Sequence, residues 1–362
     1  MIKTTKKILI IFPDDWIAYS PTILNLYDAL SFKFDAKIIT FQGDYGRQEI
    51  DGRNIQFIII PDSIRKLLKR LTNILYKIKI KKDLYKFFKA FVLLVTFHKV
   101  KFDEVIGIDF MGLWVAQRIY GKAHFLSLEM RPSRDPFYKY FNIEKIQSVI
   151  IQSDERYRHL FPDHKLKTFI VQNAPRYRPI QSRVRNIKNL IYFGSAIPEF
   201  GIYHCLNFLM EYPEFILTVR GIVPQWVKGN IEKDYPTLIA EGRLILNAVY
   251  LDQRDVQEFL NQFYIGFCFY DLNLLTDDLF HFTSAPSGKL FNYFAASVPV
   301  IGSNIQGLSS VNDFRAGVLI DNYSPQCIKN AIDEISRTYT DFKSNCITAA
   351  QHFCFEKAIT PF

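Results

Sequence analysis

The 362-residue sequence has no run approaching the roughly 18 to 20 apolar residues that a membrane-spanning helix requires. Its longest apolar stretch, 90–97 (AFVLLVTF), is bounded by Lys89 and His98 and suits a buried or interfacial helix turn. A signal-peptide core is missing as well, because the apolar stretch 8–12 after Lys6 and Lys7 stops at Pro13-Asp14-Asp15. Residence in the cytoplasm is the expectation. The five cysteines (Cys205, Cys268, Cys327, Cys346, Cys354) are odd in number and scattered, with no CxxC pair, so neither a disulfide framework nor a zinc site is supported. The seven histidines lack metal-ligand spacing, and no bound metal or cofactor is expected. Internal repeats and low-complexity tracts are absent.

Acidic residues are scarce in one place. The window 65–101 holds twelve Lys and Arg against the single acid Asp83, so the net charge of +9 resides there and the rest of the chain is close to neutral. That distribution excludes the uniformly basic surface of general nucleic-acid binders.

What is present is a two-domain length with an ordinary globular composition, 49% hydrophobic and 22% charged. Short apolar runs at 8–12, 36–40, 55–60, 104–108, 123–128, 148–152 and 168–171 read as strands alternating with helices such as 21–32 and 112–120. A polar, Arg-rich stretch at 176–189 reads as the interdomain connection. A second series then begins, with strands at 189–193, 215–219, 244–248, 265–269, 298–302 and 316–320 and helices near 201–210, 255–262, 289–296 and 325–337. The expectation is α/β: two Rossmann-like domains, 1–180 and 181–345, facing a central cleft, with 346–362 packing back on the first domain.

Residues 283–303 (TSAPSGKLFNYFAASVPVIGS) carry the most chemistry. Small residues Ser284, Ala285, Ser287 and Gly288 lead into a helix near Lys289, a turn that presents backbone N–H groups, the helix dipole and an ammonium to an anion. The segment resembles the donor-binding signature of the GT-B glycosyltransferases, the large retaining group 1 (family 4-like) that uses nucleotide-diphosphate sugars. It matches that pattern at Lys289, Leu290, Tyr293, Ala295, Pro299, Val300 and Ile301. Asn189 to Gly201 resembles the first strand and Gly-containing loop of the family's C-terminal domain, with Gly194 and Ser195. The stretch from Leu217 through Arg220 to Gly221 resembles the strand that ends beside the nucleotide, and Ile170 to Pro175 the segment before the hinge.

The resemblance implies a hexosyltransferase-like enzyme moving a sugar from a nucleotide sugar to a saccharide or lipid-linked acceptor in bacterial surface polysaccharide synthesis, with retention. It implies donor contacts at Gly194, Ser195, Arg220, Ser284, Ser287, Gly288, Lys289 and Asn292. Two glutamates eight positions apart in such enzymes fall at Ser284 and Asn292 here, and Ser195 and Phe200 stand where an Arg and a Lys hold the diphosphate. These departures leave open a non-catalytic GT-B subunit that binds a partner enzyme or a membrane.

On the first domain, Asp14, Ser20, Asp109, Glu129 and Arg131 follow strands. Asp109 and Glu129 are the candidate catalytic carboxylates, placed at the carboxyl edge of the sheet. If the transfer inverts the anomeric centre, a carboxylate or His near the acceptor hydroxyl acts as base; if it retains, the protein mainly positions both substrates and stabilises the departing diphosphate. Within 63–101, Ile64, Leu67, Leu68, Leu71, Ile74, Leu75 and Ile78 fall at three- and four-residue spacing among Arg65, Lys66, Lys69, Arg70 and Lys77. Two readings fit: a core-facing helix with a solvated basic side, or a helix lying on an anionic membrane. RNA fits the charge, but no recognition module accompanies it, so nucleic acid is not an expected partner. The pair Asp277-Asp278 reads as solvated loop.

Overall fold

The structure, a computed structural model, describes residues 6–43, 50, 52–77, 83–130, 132, 135–181, 183–247, 251, 253–275, 279–284, 287–360 and 362. Ile78, Arg131, Ala248, Asp277, Asp278, Ala285 and Pro286, singled out from the sequence, lie outside the described residues.

Two wholly parallel sheets organise two compact units. The first contains β1 (Lys7–Ile11), β2 (Asp35–Phe41), β3 (Ile55–Ile58), β4 (Glu104–Ile108), β5 (Ala123–Leu126), β6 (Ile146–Ile151) and β7 (Thr168–Ile170), in the order β3-β2-β1-β4-β5-β6-β7. The second contains β8 (Asn189–Phe193), β9 (Ile216–Arg220), β10 (Leu244–Asn247), β11 (Ile265–Cys268), β12 (Val300–Ser303) and β13 (Gly317–Ile320), in the order β10-β9-β8-β11-β12-β13. Each strand expected from the sequence is present, because strands covered on both faces read as unbroken Ile/Val/Leu runs. Both sheets grow outward in two directions from their first strand, so each has one topological switch point, β1/β4 in the first unit and β8/β11 in the second.

The boundary between the units falls at Val171/Gln172, not near 180. The stretch expected to be a free connection belongs to the second unit, and its side chains explain why. Gln257 Nε2 donates to Arg178 O at 2.6 Å and Asn261 Nδ2 to Gln181 O at 2.9 Å, laying that backbone along the helix Gln253–Leu260. Buried Arg185 donates to Asn261 O (2.7 Å), Ser297 O (2.6 Å), Ala296 O (2.8 Å) and Tyr339 Oη (2.9 Å). The C-terminal expectation changes too. Cys346, Ala349 and Ala350 of the helix Tyr339–Phe353 are buried in the second unit's core against the helix Gly288–Ala295. Only Ala358–Phe362 returns to the first unit, where Lys33 Nζ donates to Thr360 O at 2.9 Å and the Phe362 ring meets His124 and Phe169.

The basic segment forms two helices, Asp62–Lys77 and Leu84–Phe97, packed against each other. Asp83 caps the second by accepting from Lys86 N at 3.0 Å. The apolar arc of Asp62–Lys77 is wider than the strip its neighbour covers. Thr72 is buried and Leu68 and Leu75 are half-buried, while Ile64, Leu67, Leu71 and Ile74 face solvent. A core-facing stripe with a merely solvated basic side does not describe this helix.

Candidate functional site

Open parallel sheets bind ligands beyond the carboxyl ends of their strands, at the switch point. In the first unit a cavity of about 460 Å³ lies there, lined by Asp14, Trp16, Lys86, Asp109, Glu129 and Asp135 among others. Asp14 follows β1, Asp109 follows β4 directly, and Glu129 follows β5, so the strand ends bring together three carboxylates distant in sequence. Trp16 supplies an apolar wall, edge-on to Phe12 with ring centroids 5.0 Å apart.

The four carboxylates differ in surroundings. Asp14 Oδ1 accepts from Lys89 Nζ at 2.8 Å, and the same ammonium donates to Pro13 O at 2.8 Å while lying over the rings of Phe41 and Tyr85. Asp135 pairs with Lys86 at 3.5 Å. Glu129 is exposed. Asp109 opens the helix Asp109–Tyr120 with φ +50, a left-handed conformation uncommon outside glycine, although aspartate and asparagine adopt it more readily than other side chains. Its Oδ1 accepts from Leu128 N at 2.7 Å and Glu129 N at 3.0 Å, which fixes the loop after β5. Burial pushes its carboxyl well above the usual range; the charges of Glu129 and Asp14 add to the shift and the two backbone N–H groups oppose it. A strained backbone and a destabilised charge at one residue on a cavity wall are features of functional positions.

In the second unit the helix Gly288–Ala295 is anchored at the β8/β11 switch point by Tyr293. The Tyr293 hydroxyl accepts from Phe193 N at 2.9 Å and donates to Phe267 O at 3.1 Å, and the ring occupies the space left by Gly266, where an added Cβ would come within 2.6 Å of it. At the helix start Ser287 is buried and Gly288 passes close to Asn173, whose Nδ2 an added Cβ would meet at 2.6 Å. Lys289 Nζ is enclosed among the rings of Tyr192 (5.0 Å), Phe200 (5.2 Å) and Tyr270 (5.6 Å) and has no hydrogen-bond partner among the described residues. Burial lowers its pKa, with Cys268 and Cys205 opposing. The ammonium is thus at the switch point but turned inward, not displayed at the helix start.

The other donor-side residues are placed unequally. Gly194 and Ser195 follow β8, and Arg220 ends β9 with its guanidinium 4.9 Å from the Phe259 ring centroid and its pKa lowered by burial. Ser284 Oγ donates to Phe280 O at 2.5 Å and Asn292 Nδ2 to Gly288 O at 2.9 Å, so at both positions of the family's acidic pair a side chain turns back on its own helix. The sequence did not point to Arg185, Lys86, Lys89 or Asp135. In the sequence the two lysines count only among the twelve bases of the window 65–101, and nothing local marks them as cavity-side residues. Among the described residues no group of three or more His, Cys, Asp or Glu could hold a metal ion.

The loops after β8 and β9 meet backbone to backbone. Gly194 N donates to Arg220 O at 2.8 Å, and Gly221 has φ +139 with an added Cβ only 2.2 Å from Gly194 O. Gly194 itself has φ +110 with open space around its Cβ direction. Gly221→Ala is therefore expected to destabilise the second unit by about 3 kcal/mol or more, and Gly194→Ala by about 1 to 2 kcal/mol. Urea unfolding of the two variants checks the order, and equal costs would mean that the backbone contact is unimportant.

No protein-family model matches the sequence, and no curated protein matches it. Solved structures do. Anabaena HepE in complex with UDP and glucose aligns with a TM-score of 0.69 at 13% identity, covering 98% of each chain. The chain has the GT-B fold. A variant of Staphylococcus aureus TarM in complex with fondaparinux, α-GlcNAc-glycerol and UDP gives 0.67 at 12% identity, again over 98% of each chain. Sucrose-phosphate synthase from Thermosynechococcus elongatus gives 0.63 at 14%, covering 98% of this chain and 96% of that one. At these identities the GT-B likeness concerns the fold, and activity has to be argued from the residues.

Proposed function

We propose that the chain is a glycosyltransferase that moves a sugar from a nucleotide-diphosphate donor held by the second unit to a hydroxyl of a saccharide held in the first unit's cavity. In the reaction the acceptor oxygen bonds to the anomeric carbon, the bond from that carbon to the diphosphate breaks and leaves its electrons on the diphosphate oxygen, and the hydroxyl proton passes to a carboxylate of the cavity. The observation that carries this reading is the convergence of chemistry on both switch points: Asp14, Asp109 and Glu129 at β1/β4, and Gly194, Gly288 and Lys289 at β8/β11. The N–H groups at the start of the helix Gly288–Ala295 are donors that a diphosphate would satisfy, and Lys289, caged among the rings of Tyr192, Phe200 and Tyr270, adds positive charge behind them without contacting the ligand. The neighbours HepE and TarM hold UDP, which makes a uridine nucleotide the first donor to test. Retention, which the resemblance implies, still requires the attacking hydroxyl to give up its proton, and Asp109 and Glu129 are the groups we assign to receive its hydrogen bond.

A second reading has its own observation. With Ser284 and Asn292 turned onto helix carbonyls, a GT-B subunit that binds a partner without turnover fits the donor side. Thermal unfolding against a panel of nucleoside diphosphates and nucleotide sugars separates the two. At a ligand concentration of about 100 Kd, binding contributes about 2.7 kcal/mol. That raises the second unit's transition by about 5 to 10 °C. No response to any nucleotide would leave the non-catalytic subunit standing and remove the transferase.

A further inference from the structure

The helix Asp62–Lys77 presents a continuous apolar surface to solvent. Ile64, Leu67, Leu71 and Ile74 are 37%, 55%, 40% and 55% exposed. Their three- and four-residue spacing puts them on one face across about three turns. Isolated exposed aliphatic residues are ordinary on a protein surface; an unbroken stripe is not. On the arc beside the stripe stand Lys66, Arg70 and Lys77, all exposed. The opposite arc is spoken for: the buried Thr72 hydroxyl accepts from Leu84 N at 3.2 Å, and Lys69 lies over the Tyr85 ring at 5.6 Å. The neighbouring helix Leu84–Phe97 adds Phe91 and Val95, one turn apart and 60% and 55% exposed.

We infer that this face docks the first unit onto an anionic lipid surface, with the aliphatic stripe entering the boundary between headgroups and acyl chains and Lys66, Arg70 and Lys77 meeting lipid phosphates. Charge selects this occupant over a second copy of the chain. The helix carries five bases and the single acid Asp62, so a two-fold contact through the same face would bring like charges together. No helix among the described residues is long and apolar enough to cross a membrane, whereas an amphipathic helix with a basic flank lies in the interface. The surface does not depend on transfer chemistry, and a chain that bound no nucleotide would still have it. A lipid-linked saccharide is the acceptor class that such docking would bring to the cavity.

Flotation of the full chain with vesicles tests this, using phosphatidylcholine alone and phosphatidylcholine mixed with phosphatidylglycerol at low and high salt. Wild type is expected to float with the anionic vesicles, less so at high salt, and poorly with phosphatidylcholine alone. The double variant Leu67→Glu/Leu71→Glu and the triple variant Lys66→Glu/Arg70→Glu/Lys77→Glu are each expected to lose at least about tenfold in partitioning. All five positions are exposed, so both variants should keep the wild-type melting temperature and nucleotide response. Wild type left at the bottom of the gradient at low salt overturns the inference, as does flotation of folded variants equal to wild type. So does a doubled solution mass by light scattering that the Leu67→Glu/Leu71→Glu variant abolishes, because the face would then be a self-association surface.

Discussion

Asp109→Asn is expected to lower transfer to the acceptor by about 10² to 10⁴-fold, the range for losing a positioned proton acceptor, while leaving the fold intact. Both backbone hydrogen bonds to Asp109 end on one oxygen, so the amide oxygen of asparagine can accept them, and asparagine tolerates the left-handed conformation at φ +50. What the variant removes is the ionisable group that burial penalises. The folded-state pKa of Asp109 is raised, so between its unfolded value, about 3.9, and that raised value the folded chain binds the extra proton. Its contribution to stability is therefore full below about pH 4 and is lost as the pH rises through the folded pKa. The asparagine variant has no such loss. Its stability relative to wild type should grow with pH across that window, read by chemical denaturation at several pH values. A variant that is both less stable at neutral pH and fully active would reduce Asp109 to a loop-fixing role.

Arg185→Met is the largest expected effect on stability, about 3 to 5 kcal/mol. Methionine approximates the aliphatic stem but offers no donor, so Asn261 O, Ala296 O and Ser297 O would be left buried without their partner. Two of these carbonyls follow the helix Gly288–Ala295, where a cation also complements the negative end of the helix dipole. The damage should therefore appear as a lowered unfolding transition of the second unit and a weakened nucleotide response, with the first unit's transition unchanged. Loss of both transitions together would show that Arg185 supports the whole chain. Since the two units unfold separately under this expectation, differential scanning calorimetry with two resolved peaks is the suitable measurement.

Helix and strand positions were legible because buried parallel strands concentrate Ile, Val and Leu into short runs that local sequence cannot hide, as at Glu104–Ile108 and Asn189–Phe193. The position of Asp109 at the carboxyl edge followed from its place after such a run. Its left-handed backbone and its raised pKa did not: the pKa rises chiefly because the fold buries the carboxyl, and the charges of Glu129 and Asp14, brought in from after other strands, add to the rise. Lys289 was found by motif, yet its direction was not: whether an ammonium points to a helix start or into a cage of Tyr192, Phe200 and Tyr270 is set by three rings from separate segments. The stretch around Arg185 looked like a linker for the same reason, since a lone arginine among polar residues gives no sign that an enclosed set of carbonyls awaits it.

By itself, then, the sequence determined the alternation that yields two doubly wound sheets, the absence of a membrane-crossing apolar run, and a helix with apolar residues at three- and four-residue spacing amid basic ones. Only the tertiary structure decided which side of that helix is covered. Periodicity defines an arc, but the width of the neighbouring helix Leu84–Phe97 fixes how much of it is buried, and Ile64, Leu67, Leu71 and Ile74 fall outside that cover.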